Sequence, residues 1–273
     1  MPSRDPNLPD FVEPPVIETV FGVAFVPISG WRIPHYGLFW NDLRSDYPRI
    51  DVQPPVTLQP ERFGAEEKLQ NQLSLELVPE PWVRCWFLNA RGSALVQIQS
   101  DAFLHNWRKM GSTDSYPHYD STRRIFERDW SRYAAFLKAN QMSAPVVTQC
   151  EITYVNHIER GTLWTEFADI PSIFPSWSGY RSGRFLPDPD GAGFNVRFQM
   201  PRQQGRLNIS LQPGVRQSDG KDVLEFKLTA RGRPASSDLK DILEWLDLGR
   251  EWIVRGFTDM TSEKAHKFWK RRQ

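Results

Sequence analysis

Five histidines and two cysteines are the residues best suited to chemistry, and their spacing limits what that chemistry can be. The histidines are His35, His105, His118, His157 and His266. No two stand three or four residues apart, and neither HExxH nor HxH occurs, so no helix presents a paired metal site. Cys85 and Cys150 each sit inside an apolar, strand-like run with no CxxC spacing. They read as reduced, buried small hydrophobes in a reducing compartment. A nucleophile elbow of the GxSxG type is absent, and so is a GxxxxGK[ST] phosphate loop. Gly191-Ala192-Gly193 precedes a strand instead of opening a helix, so it lacks the amide geometry that cradles phosphate. Asp188 and Asp190 lie in a Pro/Gly turn where both carboxylates face water. His157 follows Asn156 at the end of a strand, close to Glu159, which makes it the histidine best placed for a site.

Recognition chemistry is more visible than catalysis. Trp107 and Arg108, in the run His105-Asn106-Trp107-Arg108-Lys109, set cations beside an aromatic ring, and Arg123 and Arg124 follow on a helix. Rings of this kind stack on bases, and arginines contact phosphate. The C-terminal Lys267-Phe268-Trp269-Lys270 repeats the pattern. Against a nucleic-acid role, 34 Lys and Arg nearly cancel 33 Asp and Glu, leaving a net charge of +1. The helix arginines also have Glu127 and Asp129 as local partners. Eleven tryptophans are many for one core, and Trp31, Trp164, Trp177 and Trp269 fall in loops or near chain ends. Tryptophan is enriched at binding hot spots, so protein recognition is the leading expectation. Trp107, Arg108, Arg123, Arg124, His157 and Trp269 are the candidate binding residues. No catalytic residue, metal ligand or cofactor is assigned.

The elements that position these residues follow from apolar periodicity. Val16–Ile28 is apolar on both faces and predicts a central strand. Residues 31–47 carry a helical pattern that Pro48 stops, and 51–60 form a proline-rich crossing segment. Residues 82–89 and 94–100 flank Ala90-Arg91-Gly92-Ser93 as a hairpin, with the second strand continuing toward Trp107. Phe126, Trp130, Tyr133 and Leu137 mark one face of a helix capped by Asp120 or Ser121 and ending near Asn140. A second long strand spans 146–158. Three strands near residues 194–199, 206–211 and 224–229 alternate apolar and polar, which predicts a sheet with one wet face. Pro213-Gly214 and Asp219-Gly220 supply turns between the last two. Ser237 caps a helix over 238–255 that Gly256 ends, and a short helix reaches Trp269.

These elements predict an α+β fold, with antiparallel sheet and long helices packed on one face. Residues 1–13 read as a flexible arm. Residues 14–143 and 144–273 form two similar α+β halves, or together one continuous domain. No apolar run approaches the roughly 18 residues of a membrane span. The polar, proline-rich start lacks an export signal, so a cytoplasmic protein is expected.

Pro14-Pro15-Val16-Ile17-Glu18 opens the first strand, Tyr154-Val155-Asn156-His157-Ile158 lies mid-chain, and Leu246-Asp247 precedes Phe257, Thr261 and Trp269. In order and spacing these resemble a sporadically distributed prokaryotic family of uncharacterised proteins of about this length. The resemblance implies an accessory protein that acts with a partner from the same operon. The leading expectation is therefore a non-catalytic interaction protein with a protein partner or self-association. The alternatives are a nucleic-acid-binding module, or an enzyme of unrecognised type near His157.

Overall fold

The computed structural model describes residues 8–56, 58, 60, 61, 63, 83–111, 113–177, 185 and 187–272. Nine strands form one antiparallel sheet in the order β2-β3-β4-β5-β1-β6-β9-β8-β7. They are β1 (Val16–Phe25), β2 (Arg49–Gln53), β3 (Arg84–Leu88), β4 (Ala94–Gln99) and β5 (Ala102–Arg108), then β6 (Val147–Glu159), β7 (Phe194–Gln199), β8 (Arg206–Val215) and β9 (Asp222–Gly232). The helices are α1 (Ile33–Leu43), α2 (Tyr119–Ala139), α3 (Ile170–Ile173), α4 (Leu239–Met260) and α5 (Glu263–Phe268). The fold is thus mixed α and β around an antiparallel sheet, as the periodicity predicts.

β1 is central, as its two apolar faces require. It pairs with β5 on one side and β6 on the other. Outward from this seam each half presents its first strand, then its last, then steps back through a meander. Each half then ends in its long helix. Phe21 of β1 stacks on Tyr119 and Phe126 of α2. Ile152 of β6, directly opposite Phe21 in the register, lies under α4 at Gly249.

Two glycines let α4 approach the sheet. A Cβ at Gly249 would stand 2.7 Å from Ile152 Cγ2, and one at Gly256 would stand 2.7 Å from Leu207 Cδ2. Gly256 therefore marks a close approach and not a helix end, and α4 runs on to Met260. Gly249→Ala is expected to destabilise by about 1–3 kcal/mol through overpacking, read as a lower urea midpoint at unchanged slope.

Other boundaries also differ from expectation. The run 94–107 breaks at Ser100-Asp101 into two paired strands instead of continuing as one. β8 passes straight through Pro213-Gly214, and the reversal falls at Arg216–Gly220. Arg49–Gln53 is an edge strand that its flanking prolines conceal. Ser237 does not cap α4, whose N-cap is Asp238; its hydroxyl accepts from the Val147 amide instead. The arm residues 8–13 are packed against the C-terminal tail. Phe11 bridges to Arg271, and the Val12 and Glu13 amides donate to the Lys270 and Trp269 carbonyls.

The sheet face away from Phe21 and Ile152 carries Gln97, Gln99, Asn106, Gln149, Glu151, Thr153 and Thr229, all buried polar residues. On β7 and β9 that face is wet as alternation predicts, with Asn195, Arg197, Gln199 and Lys227 exposed; toward the centre of the sheet it is buried. The crossing segment lies on part of it. Val56 exchanges two hydrogen bonds with the Gln99 side chain, and Glu61 takes Arg206 and Asn208 from β8 while its amide donates to Gln149.

Candidate functional site

Side-chain alternation on β6 decides where the central motif can act. Tyr154 and Asn156 share the face of Ile152, while Val155 and His157 share the other. His157 is therefore separated from Asn156. It faces Glu225 at 3.9 Å and lines a broad open groove with Glu159, Arg216 and Lys221. Lys221 and Arg216 hold the Glu159 carboxyl below its ordinary range by hydrogen bonding, leaving it a paired anion and a weak base.

Tyr154 and Asn156 instead face a cavity of about 80 Å³. Besides the sheet, which adds Val16 and Leu228, its walls come from the arm, the loop before α2, the start of α2 and the middle of α4. The loop brings Tyr116, whose hydroxyl lies 2.7 Å from that of Tyr154. Burial pushes both phenols up, so each stays a neutral hydrogen-bonding group at ordinary pH. His118, just before α2, has φ 60° and ψ 156°, a sparsely populated conformation for a residue with a Cβ.

α4 supplies Arg250. Its guanidinium lies over the Tyr119 ring at 4.8 Å, and its Nε is buried without a hydrogen bond. One turn earlier Asp247 accepts a bidentate pair from Arg123, at 2.8 and 2.9 Å, and a third bond from the Tyr119 hydroxyl. That cluster ties α2 to α4 beside the cavity. Asn156 is 1% exposed, and its amide nitrogen donates to the Phe226 carbonyl while its oxygen has no partner.

The other sequence candidates are dispersed. Trp107 is buried against Tyr116 on the face of Phe21. Arg108, the next residue along the strand, is on the opposite face, where it and Arg84 flank the Trp86 ring at 5.3 and 5.4 Å. Arg124 is exposed on α2, at a shallow cleft with Arg123, Asp247 and Arg250. Arg108 thus shares no surface with the α2 arginines, and no continuous cation–aromatic stripe joins them. Trp269 is 3% exposed, packed between Phe11 and Phe257.

Both cysteines are free and buried, and burial pushes the Cys85 thiol up to about 11. Among the described residues no group of three or more His, Cys, Asp and Glu is placed to hold a metal ion, and no helix is long and apolar enough to cross a membrane. Tyr116, Tyr154, Asn156 and Arg250 are the cluster that sequence reasoning passes over. Its one trace in the sequence is Tyr154-x-Asn156, two hydrogen-bonding side chains on the apolar face of a central strand.

No family model, curated protein or solved structure matches this chain.

Proposed function

We propose that the protein is a non-catalytic interaction protein of the cytoplasm that self-associates through its β2 edge. The carrying observation is the exposure of that strand. Arg49, Ile50, Asp51 and Val52 are all exposed, with Ile50 at 47% and Val52 at 59%. Among the described residues β2 is the last strand on its side of the sheet, and an exposed edge is a template for strand addition. A second copy fits it in one antiparallel register. With Ile50 opposite Ile50, each Arg49 faces an Asp51 of the other chain, so two opposite-charge pairs form across the seam. Pro48, Pro54 and Pro55 bound the strand and limit the pairing to a few residues. The expected dimer is accordingly of micromolar affinity.

The remaining chemistry supports a binding role over a catalytic one. The thiols and phenols in the core are pushed up by burial, away from activation. Both long helices, on this reading, cover one face: α2 lies on Phe21, α4 lies on Ile152, and those two residues are register partners. The free thiols fit a reducing compartment.

Sedimentation across micromolar concentrations tests this reading. Wild type is expected to pass from monomer to dimer, and Arg49→Asp or Asp51→Arg alone to remain monomeric. The double swap restores the opposite charges and is expected to restore the dimer. A wild type that stays monomeric, or a double swap no better than either single variant, would overturn the assignment.

A further inference from the structure

We propose that the cavity under the N-terminal arm binds a free α-amino acid with a small aliphatic side chain. The site carries three polar groups that the protein satisfies only in part: Arg250 hydrogen-bonds to Tyr154 and lies over the Tyr119 ring, but it has no anion among the described residues. Arg250 is half-buried, has no carboxylate within 4 Å among the described residues, and holds a buried Nε without a hydrogen bond. Asp120, in the first turn of α2, also lines the cavity and likewise lacks an ion-pair partner among the described residues. Asn156 is fully buried, and its amide is oriented by the bond to the Phe226 carbonyl, so that its oxygen is the free end. A buried acceptor with no donor and a guanidinium with no anion each carry an unfavourable desolvation term.

One small zwitterion answers all three. Its carboxylate supplies the anion that matches a guanidinium. Its ammonium brings three donors, enough for the Asn156 oxygen and the Asp120 carboxylate together. Its side chain meets the apolar wall of Val16, Leu228, Ile253 and Phe257. Size sets the limit. The cavity of about 80 Å³ exceeds the roughly 10–15 Å³ that one water needs, yet is smaller than the roughly 150 Å³ that accommodates benzene. Alanine to valine fits this range and aromatic amino acids do not. Tyr119, Asp120 and Arg250 also line the open cleft between α2 and α4, which gives the ligand a path from solvent.

Titration calorimetry on the full chain, with thermal unfolding in parallel, tests this using L-alanine and L-valine. Two truncated analogues of valine separate its charges: 3-methylbutanoate lacks the ammonium and isobutylamine lacks the carboxylate. L-Valine is expected to bind saturably and raise Tm, and each analogue to bind at least about tenfold more weakly. Arg250→Gln and Asp120→Asn are expected to weaken valine by at least about tenfold each. Absence of binding by both amino acids at millimolar concentration would overturn the proposal. So would equal binding of either analogue, or unchanged affinity in a folded Arg250→Gln variant. If that variant fails to fold, the comparison of valine with its two analogues on wild type still decides. The β2 edge is remote from these residues in the sheet order, so dimerisation and amino-acid binding succeed or fail independently.

Discussion

Asp129→Ala is expected to lower the unfolding free energy by about 3–5 kcal/mol, the cost of breaking a buried charge cluster from one side. Asp129 lies on α2 with its side chain fully buried. It accepts a short hydrogen bond from the Tyr47 hydroxyl and one from Arg128 Nε at 2.8 Å, with Arg132 at 3.9 Å. Alanine would leave a buried hydroxyl and a guanidinium edge without their acceptor. Asp46 is the internal control. It pairs with Arg132 at 2.6 Å and Arg128 at 3.7 Å, but its side chain is 38% exposed. Water competes for those charges, so Asp46→Ala is expected to cost at most about 1 kcal/mol. Urea unfolding of both variants measures the contrast. Similar losses would mean that burial does not set the strength of this cluster.

The contrast also explains what could be read in the sequence. Phe126, Trp130, Tyr133 and Leu137 announce a helix because burial imposes a 3.6-residue period on the residues themselves. Asp129 sits inside that stripe as a lone acid, and its partner Tyr47 lies 82 residues away, beyond any local pattern. The same limit hides the cavity. Tyr154 and Asn156 are adjacent on one strand face, but Tyr116 and Arg250 reach them only through the loop before α2 and the path of α4. β1 was legible because a strand with neighbours on both edges carries little charge, and Glu18 is the one charged residue of Val16–Phe25. β2 was not, because five residues between prolines resemble a loop when only propensity is weighed. Gln97 and Gln99 show a further limit: alternation separates the two faces of a strand, but it does not say that Val56, more than forty residues earlier, covers part of the polar one.

Acid should destabilise the protein through His105, and the effect should be large. This residue is 1% exposed, on β5 between Phe21 of β1 and Val96 of β4, and neither ring nitrogen has a hydrogen bond. Burial, helped by the nearby Arg128 charge, lowers its pKa from 6.5 to about 3. Asp129 stands 3.8 Å away, too far for a hydrogen bond, and the His105 ring is uncharged near neutral pH, so the contact is not an ion pair there. The unfolded chain protonates His105 below about pH 6.5, while the folded chain stays neutral down to about pH 3. The unfolded state therefore binds the extra proton across that window. Stability contributed above pH 6.5 is lost as pH falls, by about 1.4 kcal/mol per unit, or about 3 kcal/mol by pH 4.5. His105→Leu removes the titrating group without breaking any hydrogen bond, and the volumes are close. Its urea midpoint should match wild type within a modest margin at pH 7.5 and exceed it clearly at pH 4.5. Parallel pH profiles for the two proteins would show that His105 gains a proton as readily when folded as when unfolded, and that the pocket around it is wetter or more anionic than its burial implies.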